Sequence, residues 1–246
     1  MTDTQAAFYA RRGSRRADWW TLLHPPYTIW HLSYVVLGAA LAPTVSWTML
    51  GASVLAFFLA VGLAAHALDE LRGRPLATAI SGQTLWLVAI VGMLGAVVLG
   101  VWAVPRAGPA LVPCIALGVL LVFGYNLELF GGRLHTDLGF ALAWGGFPVA
   151  VGFLAQAPPL THLVTAGAVL AVLAASALSF AQRQLSTPAR TLRRRVAQVD
   201  GAIVQHDGTR QPLTRADLLT PLERTLRALS VAVPMIAGAV LLTHVT

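Results

Sequence analysis

The sequence predicts an all-α integral membrane protein of about seven transmembrane helices, and three observations support this. Hydrophobic residues make up 57% of the 246 positions and charged residues only 11%, less than half of the roughly 25% usual in soluble domains. The apolar residues fall in long runs, most of them near the ~20 residues a membrane crossing needs. Polar residues gather in every second connection between those runs. At this length the chain reads as a single membrane domain spanning 1–246.

Residues 1–26 form an arm that carries "RRGSRR". Charge followed by an apolar run superficially resembles a secretion signal. "WWTLLHPP" separates the two, however, so Tyr27–Pro43 is expected to be the first membrane helix. The further expected crossings are Trp47–Leu68, Thr84–Val104, Ala110–Leu127, Leu138–Gln156, Leu160–Ala181 and Leu226–His244. The first and fourth are near the short limit for spanning.

All 17 basic residues are arginine. With the N-terminus inside, every arginine except Arg106 and Arg227 falls in an inside segment. The positive-inside rule therefore predicts a multi-pass protein of the cell membrane, with a cytoplasmic N-terminus and an external C-terminus. The net charge of +7 follows from that placement and gives no reason to expect a nucleic-acid partner. The lone Cys114 can form neither an intrachain disulfide nor a cysteine metal site.

Residues 182–225 form the longest inside segment, rich in arginine. "STPARTLRRRVAQV" has the spacing of an interfacial helix on anionic lipid. "HDG" marks the turn of a hairpin-like excursion, and Thr214 with Asp217 fits a helix N-cap.

Three polar clusters occur on the inside face. In the first, His66, Asp69 and Glu70 stand three and four apart, on one helical face. Carboxylates at this depth need a polar cavity or a partner. They suit a divalent cation such as Mg²⁺, which takes oxygen ligands and substrate phosphates. A charged helix end neutralised by Arg72 and Arg74 is the other reading. The second cluster, "YNLELFGGRLHTDLG", offers Asn126, Glu128, Arg133, His135 and Asp137; an ordinary polar loop is its alternative. In the third, Ser179, Gln182, Arg183 and Ser186 share a helical face suited to phosphate oxygens. The bland reading there is a positively charged flank with Pro188 ending the helix. A mixed site of His66, Asp69, Glu70, His135 and Asp137 would suit iron or zinc. His31, inside the first helix, is equally a packed histidine satisfied by a hydrogen bond.

Together these stretches resemble the UbiA-type intramembrane prenyltransferase superfamily. "LHPPYTIWHLSYVVLGAALAP" is similar to the family's first helix. "HALDELRGRPLATAIS" stands where its first aspartate-rich motif lies, with the Arg74-Pro75 and Ile80-Ser81 ending. "YNLELFGGRLHTDLGFALAWGGFPVAVGFLA" resembles its loop after the fourth helix and its Gly-rich fifth helix. The resemblance covers about residues 20–185. It implies a helical bundle around a central cavity, Mg²⁺, and an isoprenoid diphosphate donor. By position it makes Asp69 and Glu70 metal-ligand candidates and Arg74 and Arg133 diphosphate contacts. The chain departs from the family after the sixth helix, where "AQRQLSTPARTLRRR" contains no acid.

The expectation is an enzyme of this type, performing prenyl transfer or cyclisation on an isoprenoid diphosphate or another phosphorylated lipid-like substrate. At most one Mg²⁺ is expected, with Gln182, Arg183 and Arg190 holding phosphate where the second acidic motif is missing. The competing expectation is a non-catalytic protein that keeps the fold and binds a lipid or a partner subunit.

Overall fold

The computed structural model describes residues 7–156 and 165–245. Among these, regular structure is helical apart from one short hairpin. Helix α1 (Arg15–Leu23) precedes α2 (Pro25–Ala40), which opens on two prolines whose missing N–H groups cost a first helical turn nothing. Next come α3 (Trp47–Leu71), α4 (Gly82–Ala107), α5 (Leu111–Asn126), α6 (Asp137–Leu154) and α7 (Ala166–Arg194). Strands β1 (Ala202–Val204) and β2 (Arg210–Pro212) pair antiparallel, and α8 (Arg215–Leu242) follows.

Helices α3, α4, α6, α7 and α8 are long and apolar enough to cross a membrane, and α5 is a shorter apolar helix. Leu87, Val91, Leu94, Val98 and Val101 recur three or four apart on α4, each more than half exposed. Such a row of outward aliphatic side chains is what a lipid-facing helix presents. The protein is thus a multi-pass membrane bundle. As the sequence suggests, α2 and α5 are short, at 16 residues each. The expected connection at 157–159 and the first residues of the sixth run, 160–164, lie outside the described residues.

Two boundaries differ from the sequence reading. Helix α7 runs through Pro188 to Arg194, so "STPARTLRRR" is its end and not a separate interfacial helix. The proline removes one backbone bond, but Ala189 and Arg193 are buried beyond it. Arg193 also pairs with Glu223 of α8 at 2.6 Å. Likewise α8 starts at Arg215, eleven residues before Leu226, where Thr214 and Asp217 cap each other reciprocally. Between the two helices, Asp207 turns the hairpin by accepting from the Thr209 N–H at 2.9 Å. That bond holds its carboxyl below the usual range.

The helices approach closely at glycines. A Cβ on Gly38 of α2 would overlap the Val149 carbonyl of α6, and one on Gly152 of α6 would overlap the Val35 carbonyl of α2. Small residues let backbones touch where lipid offers no hydrophobic driving force. Gly152→Ala should therefore lower stability by about 1–3 kcal/mol, as overpacking does. Thermal unfolding in detergent measures this, and an unchanged midpoint would show that α2 and α6 can part freely.

Two stretches are wound more widely than an α-helix, Phe58–Ala65 in α3 and Ala141–Gly146 in α6. Such π-helical turns tend to occur at functional sites. Both lead to the same end of the bundle, the arginine-rich end bearing the 72–81 and 127–136 loops.

Candidate functional site: a polar chamber beside an apolar slot

At that end, α2, α3, α5, α6 and α7 enclose a polar cavity of about 120 Å³. From α3 it receives His66 and Asp69. Tyr125 and Asn126 come from α5, and Phe140 and Trp144 from α6. Helix α7 contributes Gln182, Arg183 and Ser186, then Arg190, Arg193 and Arg194 from its last turns. His24, Tyr27 and His31 line it from the start of α2, and Tyr9 of the arm covers it.

The arm is bound in place. Arg11 N donates to Thr21 Oγ1, whose hydroxyl donates back to the Arg11 carbonyl, both at 2.8 Å. Trp20 Nε1 donates to the Tyr9 carbonyl at 3.0 Å. Tyr9 Oη and His24 Nδ1 are hydrogen-bonded at 3.2 Å, and the His24 ring stacks on His66 with centroids 4.5 Å apart. Burial pushes the Tyr9 hydroxyl pKa up. Burial, with His66 beside it, drives the His24 pKa well below the ordinary histidine value, so this ring is neutral at pH 7.

Three more imidazoles are fixed through Nδ1. His31 Nδ1 donates to the Trp144 carbonyl at 2.9 Å, His66 Nδ1 to Gly62 at 3.1 Å, and His135 Nδ1 to Tyr125 at 3.2 Å. The first two acceptors lie in the π-helical stretches. In a neutral ring this bond leaves Nε2 as an acceptor.

The charges divide into two kinds. Arg183 Nε donates to Asp137 at 3.1 Å, and Arg193 pairs with Glu223. Among the described residues, Arg190 and Arg194 have no carboxylate within 4.0 Å. They share the chamber with one carboxylate, Asp69. Polar atoms are also left over. Five buried side-chain nitrogens and oxygens lack a hydrogen-bond partner among the described residues. His24 Nε2, Tyr125 Oη, Gln182 Oε1 and Arg193 Nε, four of the five, belong to residues of this chamber. Each such orphan costs about 1–3 kcal/mol, so their concentration marks a place shaped for a polar ligand.

The sequence clusters separate here. His66, Asp69, Asn126, Gln182, Arg183 and Arg190 meet around the chamber. Glu70, Arg74 and Arg133 do not line it. Glu70 is fully buried, and its carboxylate accepts from Leu76 N, Thr78 N and Thr78 Oγ1 at 2.8–2.9 Å. Arg74 donates to the Ile80 carbonyl at 2.5 Å, tying the same loop. Arg133 is exposed. Asp69 is thus the single acid of its motif facing the chamber. Among the described residues no three His, Cys, Asp or Glu side chains come together as a metal-holding group. Asp69 is the one carboxylate among the described residues that line the chamber.

Sequence reasoning overlooked Tyr9, His24, Tyr27, Arg193 and Arg194 as lining residues. A signal existed for two of them, because His24, Tyr27 and His31 recur three and four apart, on one helical face.

A second cavity is wholly different in character. It runs between α3, α4, α5 and α6, with Ala52, Ala56 and Ala60 of α3 facing Gly100 of α4 and Gly118 of α5. Trp144 lines both cavities, stacked on Phe140 and packed on Tyr125 at 4.5 Å. Comparison of the chain with protein-family models, with curated proteins and with solved structures finds no match.

Proposed function

We propose that this protein is a UbiA-type integral membrane enzyme acting on an isoprenoid diphosphate or another phosphorylated lipid-like substrate. The observation that carries the reading is that Trp144 lines both an apolar slot and a chamber in which, among the described residues, two arginines have no carboxylate within 4.0 Å and four polar side-chain atoms have no hydrogen-bond partner. An amphiphile with an anionic head and a hydrocarbon tail matches both parts at once.

In this reading Arg190 and Arg194 neutralise the phosphate oxygens by charge-assisted hydrogen bonds. Arg183 and Arg193 are pre-positioned by Asp137 and Glu223 and add directed donors. A single Mg²⁺ held by Asp69 would stabilise the departing charge as a Lewis acid. When the allylic C–O bond breaks, its electron pair leaves with the diphosphate. The rings of Tyr125, Phe140 and Trp144 then face the carbocation, which they stabilise through their π-faces.

Calorimetry with a prenyl diphosphate tests this. Binding should persist, weakened, when a chelator removes magnesium. Asp69→Ala should weaken binding only when magnesium is present, and complete loss of binding in chelator would refute the arginine-based head site. The non-catalytic alternative is favoured by one observation, the single carboxylate on the chamber. Incubation with labelled prenyl diphosphate separates the two, because a binder retains the ligand at one equivalent without turnover.

We also place the arginine-rich end in the cytoplasm, on the positive-inside rule. Cysteines introduced at Ser14 and Val245 should label from opposite sides of sealed vesicles. Labelling of both from one side would contradict seven crossings.

A further inference from the structure

We propose that the cavity between the arm, the start of α1 and the 75–79 loop is a separate binding site for a phosphate group, carried by an anionic lipid headgroup or by a water-soluble phosphate compound. This site lies outside the chamber and does not depend on how the chamber is read.

The cavity has a volume of about 730 Å³, within the roughly 300–1,000 Å³ of ligand sites. Arg11 and Arg12 of the arm line it, with Arg15 of α1 and Arg194 from the end of α7. None of the four has a carboxylate within 4.0 Å among the described residues. Asp18 is the one acid among the described lining residues, and its Oδ2 accepts from Ala79 N at 3.1 Å.

Both walls are pinned. On the loop side, Leu76 N and Thr78 N donate to Glu70 while Ala79 N donates to Asp18. On the arm side, Arg11 and Thr21 exchange their two hydrogen bonds. The Arg11 guanidinium also lies over the Trp20 ring, 4.1 Å from its centroid. That contact uses the face of the guanidinium and leaves its N–H edges as donors. A cavity held open in this way needs little ordering when a ligand enters.

The charge and its geometry name the ligand. A cleft lined mainly by one sign of charge concentrates the opposite ion. These arginines come from three separate segments, so their donors approach from several sides. A tetrahedral phosphate accepts from several sides, whereas a carboxylate accepts mainly in its own plane. Two sources of phosphate reach the site. Trp20 on α1 is 39% exposed, and tryptophan is enriched where a membrane meets water, which sets the cavity beside lipid headgroups. Arg11, Arg12 and Arg15 are exposed, which opens it to soluble compounds.

Two variants test the site. Arg12→Ala/Arg15→Ala changes residues that line this cavity and not the chamber. Arg16→Ala/Arg210→Ala removes the same charge from exposed positions that line neither. The soluble arm is equilibrium dialysis of labelled inorganic diphosphate against the protein in detergent. The parent should show a diphosphate site whose affinity falls at least about tenfold in Arg12→Ala/Arg15→Ala and is unchanged in Arg16→Ala/Arg210→Ala. The lipid arm is native mass spectrometry after release from nanodiscs of phosphatidylcholine and phosphatidic acid. The parent should retain a phosphatidic acid molecule that Arg12→Ala/Arg15→Ala loses and Arg16→Ala/Arg210→Ala keeps. A loss specific to Arg12→Ala/Arg15→Ala in either arm upholds the site and identifies the source of its phosphate. No loss in either arm would overturn it. An equal loss in both variants would overturn it too, because it would mark diffuse surface charge. Diphosphate bound in the chamber stays with Arg12→Ala/Arg15→Ala, so the two sites are scored apart.

Discussion

Replacing Arg190 and Arg194 together with alanine is expected to weaken prenyl diphosphate binding by at least about a hundredfold. Hydrogen bonds to charged groups contribute about 1.5–3 kcal/mol each, and 1.4 kcal/mol is a factor of ten. Both side chains line the chamber, both are exposed, and neither has a carboxylate partner among the described residues. Their removal takes two positive charges from beside Asp69 but breaks no ion pair within 4.0 Å among the described residues, so the fold should tolerate it. The loss should appear with magnesium and with chelator alike, since the arginines act directly on phosphate oxygens. Arg72→Ala is the control. Its guanidinium pairs with Glu128 outside the chamber, half exposed, and its loss should change affinity less than about twofold, as surface pairs contribute little. Calorimetry on the three proteins decides the matter, and a double variant that binds like the parent would remove the basis for a phosphate site.

Glu70→Ala should be the most destabilising change in the chamber's surroundings, by about 3–5 kcal/mol, whereas Asp69→Ala should cost under about 1 kcal/mol. The two acids are neighbours in sequence and opposite in role. Truncating Glu70 strands two backbone N–H groups and the Thr78 hydroxyl. Those bonds hold a loop in which Gly73, Arg74 and Ala77 all have positive φ, a conformation costly for the two non-glycine residues. Asp69 faces the cavity and makes no comparable bonds. Thermal unfolding in detergent checks both variants. Equal losses would mean that the loop does not depend on Glu70. A stable Glu70→Ala protein that has lost magnesium-dependent binding would make Glu70 a ligand after all.

That pair also shows where the sequence could and could not be read. Spacing placed His66, Asp69 and Glu70 on one helical face, but adjacent residues on a helix point about 100° apart. Which acid faces the chamber is set by the 76–78 loop folding back onto Glu70, a tertiary contact that no local pattern encodes. Arg74 shows the same limit, since it ties that loop and stays out of the cavity. The long apolar helices were legible because apolar runs are a compositional signal. The hairpin and the Thr214–Asp217 cap were legible because they are local. The continuation of α7 through Pro188 was not, because buried neighbours and the Arg193–Glu223 pair outweigh the proline's local penalty. The Tyr9 cover and the slot behind Trp144 arise only where distant segments meet.

The most direct test of the central claim is native mass spectrometry of the protein extracted from its own membrane, beside the Arg190→Ala/Arg194→Ala variant. The account predicts one bound phosphate-bearing, single-tailed lipid per chain on the parent protein and its loss from the variant. A bound species without phosphate, or equal retention by both proteins, would contradict it.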